Sequence, residues 1–115
     1  MAKLLLHLEG LTVLIASIIL YGYYNFNWLL FILFFFTPNI SMFGYVINNR
    51  IGAIIYNIVH TYITPAVVIA IGFFLSANII VASGIIWIAH IGMDRMFGYG
   101  LKNPTNFKDT HLGRV

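Results

Sequence analysis

The residues best suited to chemistry in this sequence are two acids and two histidines that interrupt long apolar runs: Glu9, His60, His90 and Asp94. His90 and Asp94 are four residues apart, so on a helix their side chains lie on one face. Ser83 and Trp87 extend that face at the same spacing. Imidazole and carboxylate groups held together can transfer protons or bind a divalent metal.

These groups form a nitrogen and oxygen ligand set that suits zinc, iron or manganese. We therefore predict that Glu9, His60, His90 and Asp94 act either as metal ligands or as acid and base groups. A haem held by His60 and His90 is a less favoured interpretation, because both histidines share their layer with carboxylates. The alternative without chemistry is that His90 bonds to a neighbouring helix and Asp94 pairs with a basic residue at the membrane interface.

A second polar stripe runs through the sequence around His60. Its members recur at helical spacing: Tyr56, Asn57, His60, Thr61 and Thr64. We predict that Tyr56 and Asn57 orient a ligand or cofactor at the site. Pro65 cannot donate to the carbonyl of Thr61, and Pro38 cannot donate to that of Phe34. The sequence thus predicts two helix breaks, which either line a cavity or only bend the helices.

The composition indicates an integral membrane protein. Of 115 residues, 61% are hydrophobic and 8% are charged, with a mean hydropathy of +0.93, whereas soluble domains carry roughly 25% charged residues. Only six basic residues produce the high isoelectric point, and none forms a run, so nucleic acid is not an expected partner. The absence of cysteine excludes thiolate metal sites, iron–sulfur clusters and a cysteine nucleophile.

The hydropathy pattern predicts a single domain with an all-α, antiparallel bundle of four membrane spans, over residues 4–23, 28–47, 52–75 and 79–97. Lysine and arginine occur only before span one, between spans two and three, and from the end of span four onward. The positive-inside rule therefore predicts that both termini are cytoplasmic. Tyr21, Tyr23 and Tyr24 are expected to form an aromatic belt at the opposite interface.

Counted along these spans, Glu9, Asn39, His60 and His90 all fall roughly 8 to 12 Å from the cytoplasmic end of their helices. We expect this polar layer to form one pocket in the inner half of the bundle. Gly98 and Gly100 allow the chain to reverse after span four. The tail over residues 98–115 is then expected to fold back on the cytoplasmic mouth and bring Lys102 and His111 over the site.

Several segments also carry a family resemblance. The most specific are residues 89–95 (AHIGMDR) with 98–102 (GYGLK), and residues 107–114 (FKDTHLGR); residues 8–10, 44–45, 50–53 and 56–62 add to them. On these segments the chain resembles the small bacterial membrane proteins catalogued as domain of unknown function 4260. The resemblance implies a four-helix integral membrane protein, placed in the bacterial cytoplasmic membrane, and implies no established activity.

Three functions fit these patterns. The first is an intramembrane enzyme, metal-dependent or not, that acts on a lipid or another apolar substrate. The second is an oligomeric binding or transport subunit that uses the polar layer for a ligand or for protons. Its helices would associate through the small residues Gly72 and Ser76. The third is a structural bundle in which buried polar groups only fix the helix register.

Overall fold

The computed structural model describes residues 2–101, and every regular element in this range is helical. The elements are α1 (Ala2–Tyr23), α2 (Trp28–Phe34), a 3-10 helix (Thr37–Val46), α3 (Asn49–His60), α4 (Ile63–Phe74) and α5 (Asn78–Met96). Ala2–Tyr23, Trp28–Val46 and Asn78–Met96 are long and apolar enough to cross a membrane. Helices α3 and α4 would form a fourth span that bends by 44°. The predicted all-helical class is confirmed, and the number of candidate spans is three or four.

Both proline-dependent breaks occur where the sequence predicts them, so the second and third spans are not continuous α-helices. Helix α2 ends at Phe34, four residues before Pro38, and the chain continues as the 3-10 helix. Helix α3 ends at His60, and Thr61 is extended, with φ −91° and ψ 147°. Helix α4 then begins two residues before Pro65, which is tolerated in a first turn because its missing N–H would have no helical partner.

Helix α5 is the centre of the bundle and packs against α1, α2 and α4. Helix α1 approaches it most closely at two glycines. A Cβ atom added to Gly10 would lie 2.5 Å from Arg95 Cβ, and one added to Gly92 would lie 2.9 Å from the Gly10 carbonyl oxygen. Only glycine permits this separation, which is the usual role of small residues between membrane helices.

Two expectations about the outer half are wrong. Tyr21 is fully buried and belongs to a core cluster with Val81 and Ile86 rather than to an interfacial belt. Its hydroxyl donates to the Asn27 carbonyl, so its polar end is satisfied inside the turn after α1. Gly72 does not present a small-residue face for oligomerisation, because a Cβ there would lie 2.7 Å from Val81 Cγ2 within the same chain.

Candidate metal centre

Three buried side chains from α3 and α5 meet at the centre of the site: His60, His90 and Asp94. Asp94 Oδ2 lies 3.5 Å from His60 Nε2 and 3.3 Å from His90 Nε2. One ligand atom from each residue lies within 4.8 Å of the other two. The i, i+4 spacing places His90 and Asp94 on one face of α5, and the end of α3 delivers His60 against that face. We call these residues the triad.

Hydrogen bonding orients the His60 ring for ligation. Its Nδ1 lies 3.0 Å from the Tyr56 carbonyl oxygen, one turn earlier on α3. A proton on Nδ1 that donates to this carbonyl leaves the Nε2 lone pair directed at Asp94. Carbonyl acceptors of this kind commonly fix the tautomer of a metal-binding histidine. The Tyr56 ring stacks on the His60 ring at 3.8 Å and 5°, which further restricts its rotation.

His90 is the most enclosed member of the triad. Its side chain is fully buried, and the rings of Phe35 and Phe36 meet it edge-on at 5.6 and 6.1 Å. Within residues 2–101, neither ring nitrogen has a hydrogen-bond partner. A buried imidazole without partners costs free energy unless its nitrogen shares a proton with the Asp94 carboxylate or binds a cation. The need for a proton or a cation is greatest at Nε2, because this nitrogen faces the Asp94 carboxylate.

Two of the three separations between ligand atoms suit a small cation. Two donors bound to one zinc ion at about 2.0–2.1 Å in tetrahedral geometry lie roughly 3.3 Å apart. The two distances from Asp94 Oδ2, 3.3 and 3.5 Å, match this separation. Two imidazoles and one carboxylate also leave one or more coordination positions open, which is typical of catalytic zinc and non-haem iron sites.

The break after α3 is held by side chains that bind its last carbonyls. Trp87 Nε1 donates to the Val59 carbonyl at 2.6 Å, and an Arg95 guanidinium nitrogen donates to the His60 carbonyl at 3.1 Å. Thr64, beyond the break, donates to the carbonyl of Ile58. The terminal carbonyls of a helix have no partner within it, so these three donors allow α3 to end inside the bundle and point His60 at α5.

Glu9 is not brought into the triad. It is exposed on α1 and lines a separate groove with Thr12 and Tyr62. Its neighbour Gly10 takes the position against α5, and successive residues of a helix point about 100° apart. The close packing at Gly10 therefore turns the Glu9 carboxylate away from the histidines.

The structure places the remaining predicted site residues in different surroundings or does not describe them. Tyr56 stacks on the His60 ring of the triad, whereas Asn57 is half-buried on α3 and its role at the site stays a prediction. Lys102 and His111, with the predicted fold-back of the tail, lie outside the described residues. Asn39, at the predicted depth of the polar layer, instead lines a groove with Met42 and Tyr45.

Sequence reasoning missed two contributors to the site. Ser41 of the 3-10 helix is buried, and its Oγ lies 3.5 Å from His60 Nδ1. A serine hydroxyl three residues after Pro38 in an apolar span was the available signal. The second is Arg95, whereas the sequence offered only a basic residue at the membrane interface as an alternative partner of Asp94. Among the described residues, however, the ion pairs of Asp94 are with His60 and His90, while Arg95 binds a backbone carbonyl.

A cavity of about 510 Å³ lies beside the triad, between the second, third and fourth spans. Its lining consists of Phe34, Thr37, Pro38, Ile40, Ser41, Ile55, Val59, Ser83 and Trp87. The volume is in the range of pockets that enclose small organic ligands. The break at Pro38 thus borders a cavity, and Ser83 and Trp87, which extend the predicted chemical face of α5, form one of its walls.

Comparison with known protein families identifies the family of this chain. Residues 3–115 match the family described as Domain of unknown function (DUF4260). The chain belongs to this family. The match to the DUF4260 family includes all three residues of the triad, and it confirms the family resemblance seen in the sequence. Comparisons with the curated proteins and with the solved structures gave no match.

Proposed function

We propose that this member of the DUF4260 family is a metal-dependent membrane enzyme that acts on a lipid or another apolar molecule. The metal would be held by His60, His90 and Asp94. The observation that carries the proposal is the convergence of three buried ligand atoms within 4.8 Å of one another. Buried ionisable residues inside membrane spans are costly and usually functional, which favours a role for this group beyond helix packing.

The composition of the site supports zinc, iron or manganese, and an open coordination position supports chemistry rather than a purely structural role. A metal of this kind supplies Lewis acidity or a reactive bound hydroxide at neutral pH. His60 is held by Tyr56 and Ser41, and His90 is enclosed by Phe35 and Phe36. These contacts would fix the ligands before the metal binds and limit the access of water.

The proposed location is the bacterial cytoplasmic membrane, with both termini in the cytoplasm. Three helices with the length and apolar character of membrane spans support the membrane assignment. The apolar cavity beside the triad supports a substrate drawn from the lipid phase.

Metal analysis of the purified protein tests the proposal. We expect about one zinc, iron or manganese ion per chain after exposure to these metals and removal of loose ions. The single variants His60→Ala, His90→Ala and Asp94→Asn should each lower this occupancy at least tenfold. His7→Ala and Glu9→Gln are the matched controls, because both residues lie outside the group of three. Substoichiometric metal in the wild-type protein, or equal loss in the controls, would contradict the proposal.

A further inference from the structure

We propose that the cavity between the second, third and fourth spans binds a neutral lipid that ends in a hydroxyl group, such as a long-chain alcohol. This inference names the substrate class and rests on the proposed function for its chemistry. The binding step itself depends only on the cavity, so it can be tested without a metal.

The depth of the cavity indicates that its ligand comes from the lipid phase. Thr37 is the central residue of the candidate span Trp28–Val46, and Trp87 is the central residue of Asn78–Met96. Both line the cavity. Phe34, Ile40 and Ile55 line it as well and are exposed at the surface of the bundle, so the cavity opens at that surface. A molecule that enters at this depth passes through the hydrocarbon core of the bilayer.

The hydrogen bonds already made by the lining residues indicate which polar group the ligand carries. The Ser41 hydroxyl donates to the Pro38 carbonyl, and the Ser83 hydroxyl donates to the Ile79 carbonyl. A hydroxyl has one proton, so each serine oxygen can offer a ligand only lone pairs. Trp87 has likewise used its single N–H on Val59. The walls therefore favour a ligand that donates a hydrogen bond.

The lining also lacks charge, which excludes ionised headgroups. All nine lining residues are apolar, aromatic or hydroxylated. A carboxylate, sulfate or phosphate at this depth would lose its hydration without gaining a cation or a free N–H donor from the lining residues. A hydroxyl group donates one hydrogen bond, which the oxygen of Ser41, Ser83 or Thr37 can accept. The size of the cavity suits the head and upper chain of such a lipid rather than the whole molecule.

Ser41 connects the cavity to the triad. It lines the cavity, and its Oγ lies 3.5 Å from His60 Nδ1. A ligand hydroxyl bonded to Ser41 would therefore lie next to the ring that faces Asp94. This placement brings the polar end of the lipid to the Nδ1 side of His60, at the part of the cavity nearest the triad, and leaves its chain directed to the exposed rim.

Tryptophan fluorescence provides a direct test, because the chain contains only two tryptophans. Trp28→Phe leaves Trp87, in the cavity wall, as the only reporter. This protein, in vesicles and treated with chelator, is titrated with a brominated long-chain alcohol. Chain-matched brominated probes with a methyl ether or a sulfate head are titrated in parallel. We expect saturable quenching by the alcohol, roughly fivefold weaker binding of the ether because it cannot donate, and no saturable component with the sulfate.

Three further proteins distinguish binding in the cavity from partitioning of the probe into the bilayer. Trp87→Phe leaves Trp28, which is exposed at the start of α2 and should show only quenching proportional to the probe concentration. Ser83→Leu in the Trp28→Phe background fills the cavity and should abolish saturation. Thr12→Leu in that background is the matched control, because its hydroxyl also donates to the carbonyl four residues earlier, but on α1 outside the cavity.

The result that overturns the inference is quenching of Trp87 that does not saturate, that is equal for alcohol and sulfate, or that survives Ser83→Leu. Each of these outcomes is independent of metal, because the protein is chelator-treated. Saturable alcohol binding in a protein that takes up no metal would support the inference while contradicting the proposed function. Metal uptake at the triad without alcohol binding would support the proposed function while contradicting the inference.

Discussion

Trp87 on α5 donates its indole N–H to the carbonyl oxygen of Val59 on α3, at 2.6 Å. Twenty-eight positions separate the two residues in the sequence, so this bond joins the third and fourth spans directly. It also satisfies a carbonyl that the end of α3 leaves without a helical partner. The same side chain thus forms a wall of the cavity and holds α3 in place.

Replacing Trp87 by phenylalanine should lower the stability of the bundle. The variant keeps an aromatic ring but leaves the Val59 carbonyl unsatisfied in an apolar interior, which costs roughly 1 to 2 kcal/mol. The free energy of unfolding in mixed detergent micelles measures the loss. Trp28→Phe is the control, and an equal loss in both variants would show that ring size rather than the hydrogen bond matters.

Arg95 should act as a positioning residue for the metal site. Its guanidinium donates to the His60 carbonyl and lies over the Tyr62 ring at 5.5 Å, so it holds both sides of the break. Arg95→Gln should weaken metal affinity about tenfold, as is usual when support of a ligand is lost. Arg95→Lys should restore part of the affinity.

Cobalt absorption separates this role from a general loss of stability. Substituted Co²⁺ reports the coordination geometry, and we expect its spectrum to change in Arg95→Gln and to stay unchanged in Arg50→Gln. Arg50 is an exposed arginine at the other end of α3. An unaltered spectrum and affinity in Arg95→Gln would show that the break positions His60 without the guanidinium.

The α1–α5 contact should not tolerate a side chain at Gly10. A Cβ there would lie 2.5 Å from both Arg95 Cβ and the Met96 nitrogen, so the helices must separate. Gly10→Ala should cost about 1–3 kcal/mol, the usual range for overpacking. Gly22→Ala is the matched control on the same helix, because its Cβ would meet Trp28 at an ordinary 3.4 Å. Equal unfolding free energies of the two variants would refute the close approach.

The orientation in the membrane can be tested with single cysteines, because the natural chain contains none. Ile47→Cys lies at the end of the second span and Leu75→Cys at the end of the third, and both positions are exposed. If the positive-inside rule holds, an impermeant maleimide added to intact cells should label position 75 and not position 47. The reverse pattern would place both termini outside.

The helical class, both breaks and the proximity of His60, His90 and Asp94 could be predicted from the sequence. The breaks follow from Pro38 and Pro65, since proline lacks the N–H that a helix needs. His90 and Asp94 could be paired because helical spacing alone puts them on one face. His60 could be added because its depth in the third span matches theirs.

The rotation of each helix about its axis could not be predicted in the same way. In a membrane both the lipid-facing and the packed sides of a helix are apolar, so hydropathy does not distinguish them. Glu9 was therefore assigned to the pocket and Tyr21 to the interface. Both assignments are wrong because α1 is rotated so that Glu9 is exposed and Tyr21 is buried. Gly10 carried the missing information, because a glycine beside an acid in an apolar helix marks the packed side.

The triad takes one residue from α3 and two from α5, and the whole of α4 separates them along the chain. No nascent chain that lacks its last span can therefore form it. If four spans insert in order, the first three enter the bilayer before His90 and Asp94 are present, and the fourth adds both residues together. Any ion captured here would arrive after insertion is complete and would fasten the final helix to those inserted before it.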